Sequence, residues 1–170
     1  MESFQLYKSL YDRELRRRID LDESINIPLT ILTLIIAANS YIINKANNVT
    51  LNCFWSFTSL ILLFAVFIAF SISIYFLLRS FNNFFRGFVY RNLPLSTEIR
   101  NFELNLRDDE NREVIFENRI IEEINIYTDS HKIFNDKRSL DLYKAKSFIT
   151  VTLLITATKF LIVILHNGIL

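Results

Sequence analysis

Hydrophobic residues in this chain form three long runs that are almost free of charge. The first run extends from Ile25 to Ile43 and the second from Phe54 to Leu78, and neither contains a charged residue. The third extends from Phe148 to Leu165 and contains a single charge, on Lys159. At about 1.5 Å per residue, each run approaches the ~30 Å hydrocarbon core of a bilayer, so each predicts a membrane-crossing helix.

Outside these runs the hydrophobic residues recur with helical spacing. Phe4, Tyr7, Tyr11 and Leu15 predict an amphipathic helix before the first run. A second stripe predicts a helix that continues without a breaker into the third run, and we expect it to lack a sufficient partner within the chain. Self-association would then cover it. This stripe consists of Phe116, Ile120, Ile124, Tyr127, His131 and Phe134.

The composition favours helices throughout. The chain has 170 residues but only 2 Gly and 2 Pro, too few for the many turns of a β-rich fold. We therefore predict an all-α membrane protein with three transmembrane helices and a helical cytoplasmic insert between the second and third. The predicted segments are a cytoplasmic amphipathic helix (1–24), two transmembrane helices with a short outer turn (25–78), a cytoplasmic helical region (79–147), and a third transmembrane helix with a short outer tail (148–170).

The basic residues predict the orientation of the chain. Five Lys or Arg precede the first run, one lies between the first and second, twelve lie between the second and third, and none follows the third. Lys and Arg concentrate on the cytoplasmic side of membrane proteins. The N-terminus and the long insert are therefore expected in the cytoplasm, and the C-terminus outside.

The sequence contains no recognisable catalytic pattern. Gly87 and Gly168 are too few and too far apart for a phosphate-binding loop. The single cysteine, Cys53, and two distant histidines do not form a zinc motif, and no nucleophile, base and orienting acid occur at a recognisable spacing. We expect no enzymatic activity, no metal and no cofactor.

One face of the third run is polar. Thr152, Thr156, Lys159 and His166 follow one another at helical spacing, which places them on the same side of a helix. Such a face either joins helices by hydrogen bonds or lines an aqueous pathway, and Lys159 can also extend along its stem to the interface. These four residues are the predicted pore-lining set. For Asn39 and Ser40 in the first run, an interhelical hydrogen bond is expected instead.

Two basic clusters lie in the predicted cytoplasmic parts. They are the candidate ligand-binding residues Arg16, Arg17 and Arg18 before the first run, and Lys137 and Arg138 before the third. Anionic lipid head groups account for such clusters at a membrane surface. Repeated around an oligomer, the same charges would bind a polyanion such as a nucleotide or a short nucleic acid.

The layout, with YDRELRRRIDLDESIN from Tyr11 and NDKRSLDLYKAKSF from Asn135, resembles small transmembrane effectors encoded beside nucleotidyltransferases in bacterial anti-phage systems. The SLATT-like group and the effector of the Hailong system are examples. The resemblance covers most of the chain and implies a homo-oligomer in the bacterial inner membrane. It also implies a pore or ion channel that disrupts the membrane, under the control of a nucleotide-derived ligand from the partner enzyme.

Two other functions fit the same layout. A non-conducting membrane anchor or scaffold would use the amphipathic stripes to recruit a cytoplasmic partner. A phage holin is less consistent with nearly 70 residues between the second and third runs.

Overall fold

The computed structural model describes residues 2–46, 53–81, 89–90, 93–107 and 110–166. This part of the chain contains α-helices and no strand, which confirms the all-α class. The helices are α1 (Glu2–Glu23), α2 (Asn26–Ala46), α3 (Cys53–Ser80), α4 (Ser96–Asn105) and α5 (Arg112–His166).

Three helical stretches are long and apolar enough to cross a membrane. They are Ser3–Asn44, Phe57–Ser80 and Arg112–Ile164. The first contains its whole run, the second begins at Phe57 inside its run, and the third ends at Ile164, one residue before its run ends. The side of the membrane on which each end lies stays a prediction.

A short turn at Ser24 and Ile25 separates α1 from α2. Pro28 is the third residue of α2, in the first helical turn, where a missing backbone N–H removes no intrahelical bond. The Leu29 N–H donates to the Ile25 carbonyl at 3.1 Å, so hydrogen bonding resumes directly after the proline.

The last helix is continuous over 55 residues. It includes the stripe that begins at Phe116, the segment from Asn135 to Lys146 and the third hydrophobic run. This confirms the prediction that one helix continues without a break into the third hydrophobic run.

The chain divides into two compact units. Unit 1 comprises residues Met1–Asp22 and Gly87–Lys137, and unit 2 comprises Glu23–Arg86 and Arg138–Leu170. Unit 1 therefore contains nearly all of α1, α4 and the first half of α5. Unit 2 contains α2, α3 and the second half of α5.

In unit 1 the stripe of α5 has partners within the chain. The Phe116 ring stacks on Phe102 of α4 with centroids 6.2 Å apart. The His131 ring lies 5.6 Å from Tyr11 of α1 and 5.0 Å from Tyr90. The expectation that this stripe lacks a sufficient intrachain partner is therefore wrong, because α1, α4 and Tyr90 contact it.

In unit 2 the helix α3 runs antiparallel to α5. Ser80 at the end of α3 bonds to Arg138, whereas Phe76, one turn earlier, stacks on Phe148 with centroids 6.0 Å apart. The helix α2 contacts α5 through Asn39 and Thr156. Unit 2 is thus a bundle of three helices.

Unit 2 is apolar outside and partly polar inside. Its most exposed side chains on three helices include large hydrophobic residues that are each more than half exposed: Leu34, Phe57, Phe64, Phe67, Leu154 and Leu161. Its buried polar residues are Asn39, Ser73, Ser80, Arg138, Asp141, Thr152, Thr156 and Lys159. Contiguous apolar exteriors are uncommon in soluble monomers and are expected where lipid is the solvent.

Candidate functional site along the buried face of α5

Apart from Asp141, the buried positions of α5 repeat at alternating steps of four and three residues. This heptad spacing keeps one side of a helix against its neighbours. Many of these positions are polar, and they form the clusters described below. The buried face consists of Ile124, Thr128, His131, Asn135, Arg138, Leu142, Ala145, Ile149, Thr152, Thr156, Lys159 and Val163.

Three of the predicted pore-lining residues lie on this face in unit 2. Thr152 is fully buried, and Thr156 and Lys159 are 5% and 2% exposed. Their spacing therefore correctly predicts a shared face, which packs inside the bundle of a single chain. His166 is the last residue of α5, and its side chain lies outside the described residues.

Asn39 connects α2 to this face. Its Nδ2 donates to the Thr156 hydroxyl at 3.0 Å and to the Ile35 carbonyl at 2.9 Å. The expected interhelical hydrogen bond is confirmed for Asn39. Ser40 differs, because it is exposed and donates to the Ile36 carbonyl of its own helix at 3.0 Å.

Lys159 is buried without a nearby acid. Among the described residues, no carboxylate lies within ion-pair distance of its ammonium group. The side chain is almost completely covered by protein, so it does not reach the surface of unit 2. A buried ammonium without a counter-charge is costly, which makes Lys159 the most unusual residue of this face.

At the opposite end of unit 2, α3 and α5 exchange two hydrogen bonds. The Arg138 Nε donates to the Ser80 carbonyl at 2.8 Å, and the Ser80 hydroxyl donates to the Arg138 carbonyl at 3.0 Å. Both residues are fully buried. Arg79 and Asp141 form an ion pair beside them, with Nε and Oδ2 3.2 Å apart.

In unit 1 the buried face carries a hydrogen-bonded cluster around Asn135. The Asn135 Nδ2 donates to the Glu14 carbonyl at 2.9 Å and to the Glu14 carboxylate at 3.1 Å. The Tyr90 hydroxyl donates to the Asn135 Oδ1 at 2.9 Å. Glu14 is only 2% exposed, so the hydrogen bond from Asn135 to its carboxylate compensates a buried charge.

Two of the predicted ligand-binding arginines surround this cluster. Arg17 forms an ion pair with Asp136 at 2.6 Å and another with Glu14 at 3.5 Å. The Arg18 guanidinium lies 4.3 Å from the Tyr90 ring centroid, in a cation–π contact. Both arginines therefore have partners within unit 1.

The other three predicted ligand-binding residues are placed differently. Arg16 and Lys137 are exposed. Arg138 is fully buried in its contact with Ser80, so it is not on the surface with the rest. The sequence grouped Lys137 with Arg138 because they are adjacent, but consecutive residues of a helix point about 100° apart.

The aromatic side of the cluster contains Tyr11 and His131. Burial raises the pKa of the Tyr11 phenol above its ordinary value, so this group stays neutral at physiological pH. His131 is fully buried between the rings of Tyr11 and Tyr90. This is the packing of a core histidine in unit 1.

A separate cleft of about 460 Å³ lies where α4 meets the start of α5. Arg100, Arg107 and Arg112 line it together with Glu103 and Glu113. Arg100 already forms an ion pair with Glu103 at 2.7 Å. The sequence analysis did not select these arginines, since they are spread over 13 positions and become neighbours only through the turn after α4.

Sequence reasoning also missed Glu14, Tyr90, Asn135, Ser80 and Asp141. A polar residue at a heptad position of a predicted helix was the available signal for Asn135 and Glu14. In the part of the chain that the structure describes, no three His, Cys, Asp or Glu side chains gather closely enough to hold a metal ion. Comparison with protein-family models, curated proteins and solved structures finds no match to this chain.

Proposed function

We propose that this protein is an oligomeric channel or pore of the bacterial inner membrane that acts as an effector in anti-phage defence. The observation that supports the proposal is the polar face of α5 inside unit 2, where Thr152, Thr156 and Lys159 are buried within an apolar exterior. Polar and charged groups at membrane depth are costly, and they commonly mark ion pathways.

In this proposal, the conformation described here is the closed one. The α2 helix covers the polar face, and the bond from Asn39 to Thr156 joins the two helices. Opening requires α2 to separate from α5, after which hydroxyl groups and the Lys159 ammonium would contact water. A positive charge at this level would favour anions over cations.

The proposed control is an anionic ligand on the cytoplasmic side. A phosphate group would compete with Asp136 for Arg17, because phosphate and carboxylate accept the same guanidinium hydrogen bonds. The exposed Arg16 and Lys137 would add charge. Asp136 belongs to α5, the same continuous helix that carries Thr152 and Lys159, so ligand binding would act on the element that lines the pathway.

The test is ion flux through purified full-length protein in liposomes, with and without nucleotides or short single-stranded DNA. We expect flux that changes when such a ligand is added. Lys159→Leu should alter conductance or ion preference, whereas Thr158→Val on the exposed side of the same helix should not. Equal conduction by Lys159→Leu and the parent would remove Lys159 from the pathway.

Mass measurement in detergent tests the assembly. We expect an oligomer of three to five copies of the 20.1 kDa chain. A stable monomer over a wide concentration range would contradict the oligomer.

The second candidate is the non-conducting membrane anchor. It is favoured by the burial of the polar face within one chain. In the anchor, the role of this face would simply be to hold α2 and α5 together by hydrogen bonds. Absence of flux under every ligand condition, together with capture of a defined cytoplasmic partner by unit 1, would support the anchor over the channel.

A further inference from the structure

Lys159 is buried in unit 2, and no described residue provides a counter-charge for it. It is 2% exposed, and the described part of the chain offers no carboxylate within ion-pair distance. The acidic residues of unit 2 that the structure describes lie elsewhere; Asp141, for example, is five helical turns earlier in α5 and pairs with Arg79. An ammonium group in this setting either loses its proton or acquires an anion.

The neighbouring groups are suited to an anion. Thr156 precedes Lys159 by three residues and shares its buried face, so the two side chains lie one above the other. The Thr156 oxygen accepts the Asn39 amide, and no described residue accepts the hydroxyl hydrogen. That hydrogen is therefore available to a ligand beside the Lys159 ammonium.

The hydroxyl of Thr152, on the same face, already donates a hydrogen bond within the protein. Thr152 donates to the Phe148 carbonyl of its own helix at 2.7 Å. The donors that remain are thus the Lys159 ammonium and the Thr156 hydroxyl, and both can donate to a negative species. The Asn39 Oδ1 is buried and accepts no hydrogen bond from the described residues. Since Lys159 is enclosed by the bundle, a compact inorganic anion fits better than a lipid phosphodiester with its two chains.

We propose that unit 2 binds a halide-sized inorganic anion between the Lys159 ammonium and the Thr156 hydroxyl. Asn39 is a positioning residue, because its amide donates to the Thr156 oxygen. The site belongs to the closed bundle, so it does not depend on conduction and stands apart from the proposed channel function.

The test uses full-length protein in a non-ionic detergent, with bromide replacing gluconate at constant sodium. We expect bromide to raise the thermal unfolding midpoint of the parent, because a ligand that binds only the folded state stabilises it. Lys159→Met keeps the aliphatic stem and should lose the shift. Thr156→Val should reduce it, and Thr158→Val should retain it.

A second readout covers variants that fold poorly. Chloride-35 NMR of the parent should show line broadening that bromide reverses, which requires no substitution. Absence of both the broadening and the bromide shift in the parent would overturn the proposal. A full bromide-dependent rise of the unfolding midpoint in Lys159→Met would also overturn the proposal.

Phosphatidylglycerol provides the lipid arm of the experiment. Added in gluconate buffer, it should not reproduce the bromide shift. If it does so in the parent but not in Lys159→Met, the anion is a lipid phosphate and the inorganic-anion proposal is wrong. Flux measurements do not enter these outcomes, so the channel and the anion site can fail separately.

Discussion

Asn135 shows how one side chain satisfies several buried groups at once. It donates to both the carbonyl and the carboxylate of Glu14 and accepts from Tyr90. A hydrophobic residue at this heptad position would leave the Glu14 carboxylate and the Tyr90 hydroxyl with fewer partners. A hydrogen bond contributes about 0.5–1.5 kcal/mol between neutral groups and about 1.5–3 kcal/mol when it involves a charged group.

Asn135→Ala is therefore expected to lower the free energy of unfolding by about 2–4 kcal/mol. The measurement is reversible unfolding in mixed detergent micelles. Asn118→Ala is the matched control, because Asn118 is exposed on the same helix and in the same unit. A loss for Asn135→Ala no larger than for Asn118→Ala would show that the cluster contributes little.

Asp136 gives a second prediction at this scale, which concerns anion binding. Asp136→Asn releases Arg17 from its 2.6 Å ion pair and removes a negative charge from the surface. We expect it to tighten binding of short single-stranded DNA about fivefold, corresponding to about 1 kcal/mol.

Fluorescence anisotropy at fixed salt measures this binding. Asp129→Asn changes the net charge equally at an exposed position of the same helix and serves as control. Arg17→Gln should weaken binding. Weaker binding by Asp136→Asn would count against Arg17 as a ligand contact.

At the scale of elements, the sequence pattern predicted two main features of α5, its continuity and its polar face. The absence of breakers from Asn135 to Lys146 predicted its continuity, and the spacing of Thr152, Thr156 and Lys159 predicted their common face. Sequence could not show which element covers that face, since the bond from Asn39 to Thr156 joins residues 117 positions apart. The sequence-based assignment of Arg138 to a ligand-binding surface was wrong, because a cluster of basic residues does not show which side of the helix each residue occupies.

A crosslink between α2 and α5 tests whether their separation opens the pathway. In a Cys53→Ser background, Asn39→Cys and Thr156→Cys place two thiols where side chains now hydrogen bond at 3.0 Å. Oxidation should abolish ligand-dependent flux in liposomes, and reduction should restore it.

The matched control is Ser40→Cys with Thr156→Cys, because Ser40 is exposed beside Asn39 and bonds only within its helix. Oxidation of this pair should leave the flux unchanged. Undiminished flux after complete Asn39–Thr156 crosslinking would mean that ions pass elsewhere.

At the scale of the whole molecule, the three apolar helical stretches agree with a membrane protein, and the Lys and Arg counts predict an orientation. The orientation predicts that the end of α2 faces outside and the start of α4 faces the cytoplasm. In a Cys53→Ser background, Asn44→Cys should react with a membrane-impermeant thiol reagent in intact cells.

Ser96→Cys should react only after the membrane is permeabilised, and this variant provides the opposite-side control. Labelling of Ser96→Cys in intact cells, or protection of Asn44→Cys, would reverse or refute the predicted orientation.

The position of α5 after its partners in chain order has a consequence for biosynthesis. Glu14 and Asn39 emerge from the ribosome early, but the side chains that bond them, Asn135 and Thr156, are 121 and 117 residues away. Until the last helix is made, these polar groups lack their native partners. A nascent or prematurely terminated chain that lacks α5 therefore cannot complete either cluster, and both remain unassembled until α5 has been synthesised.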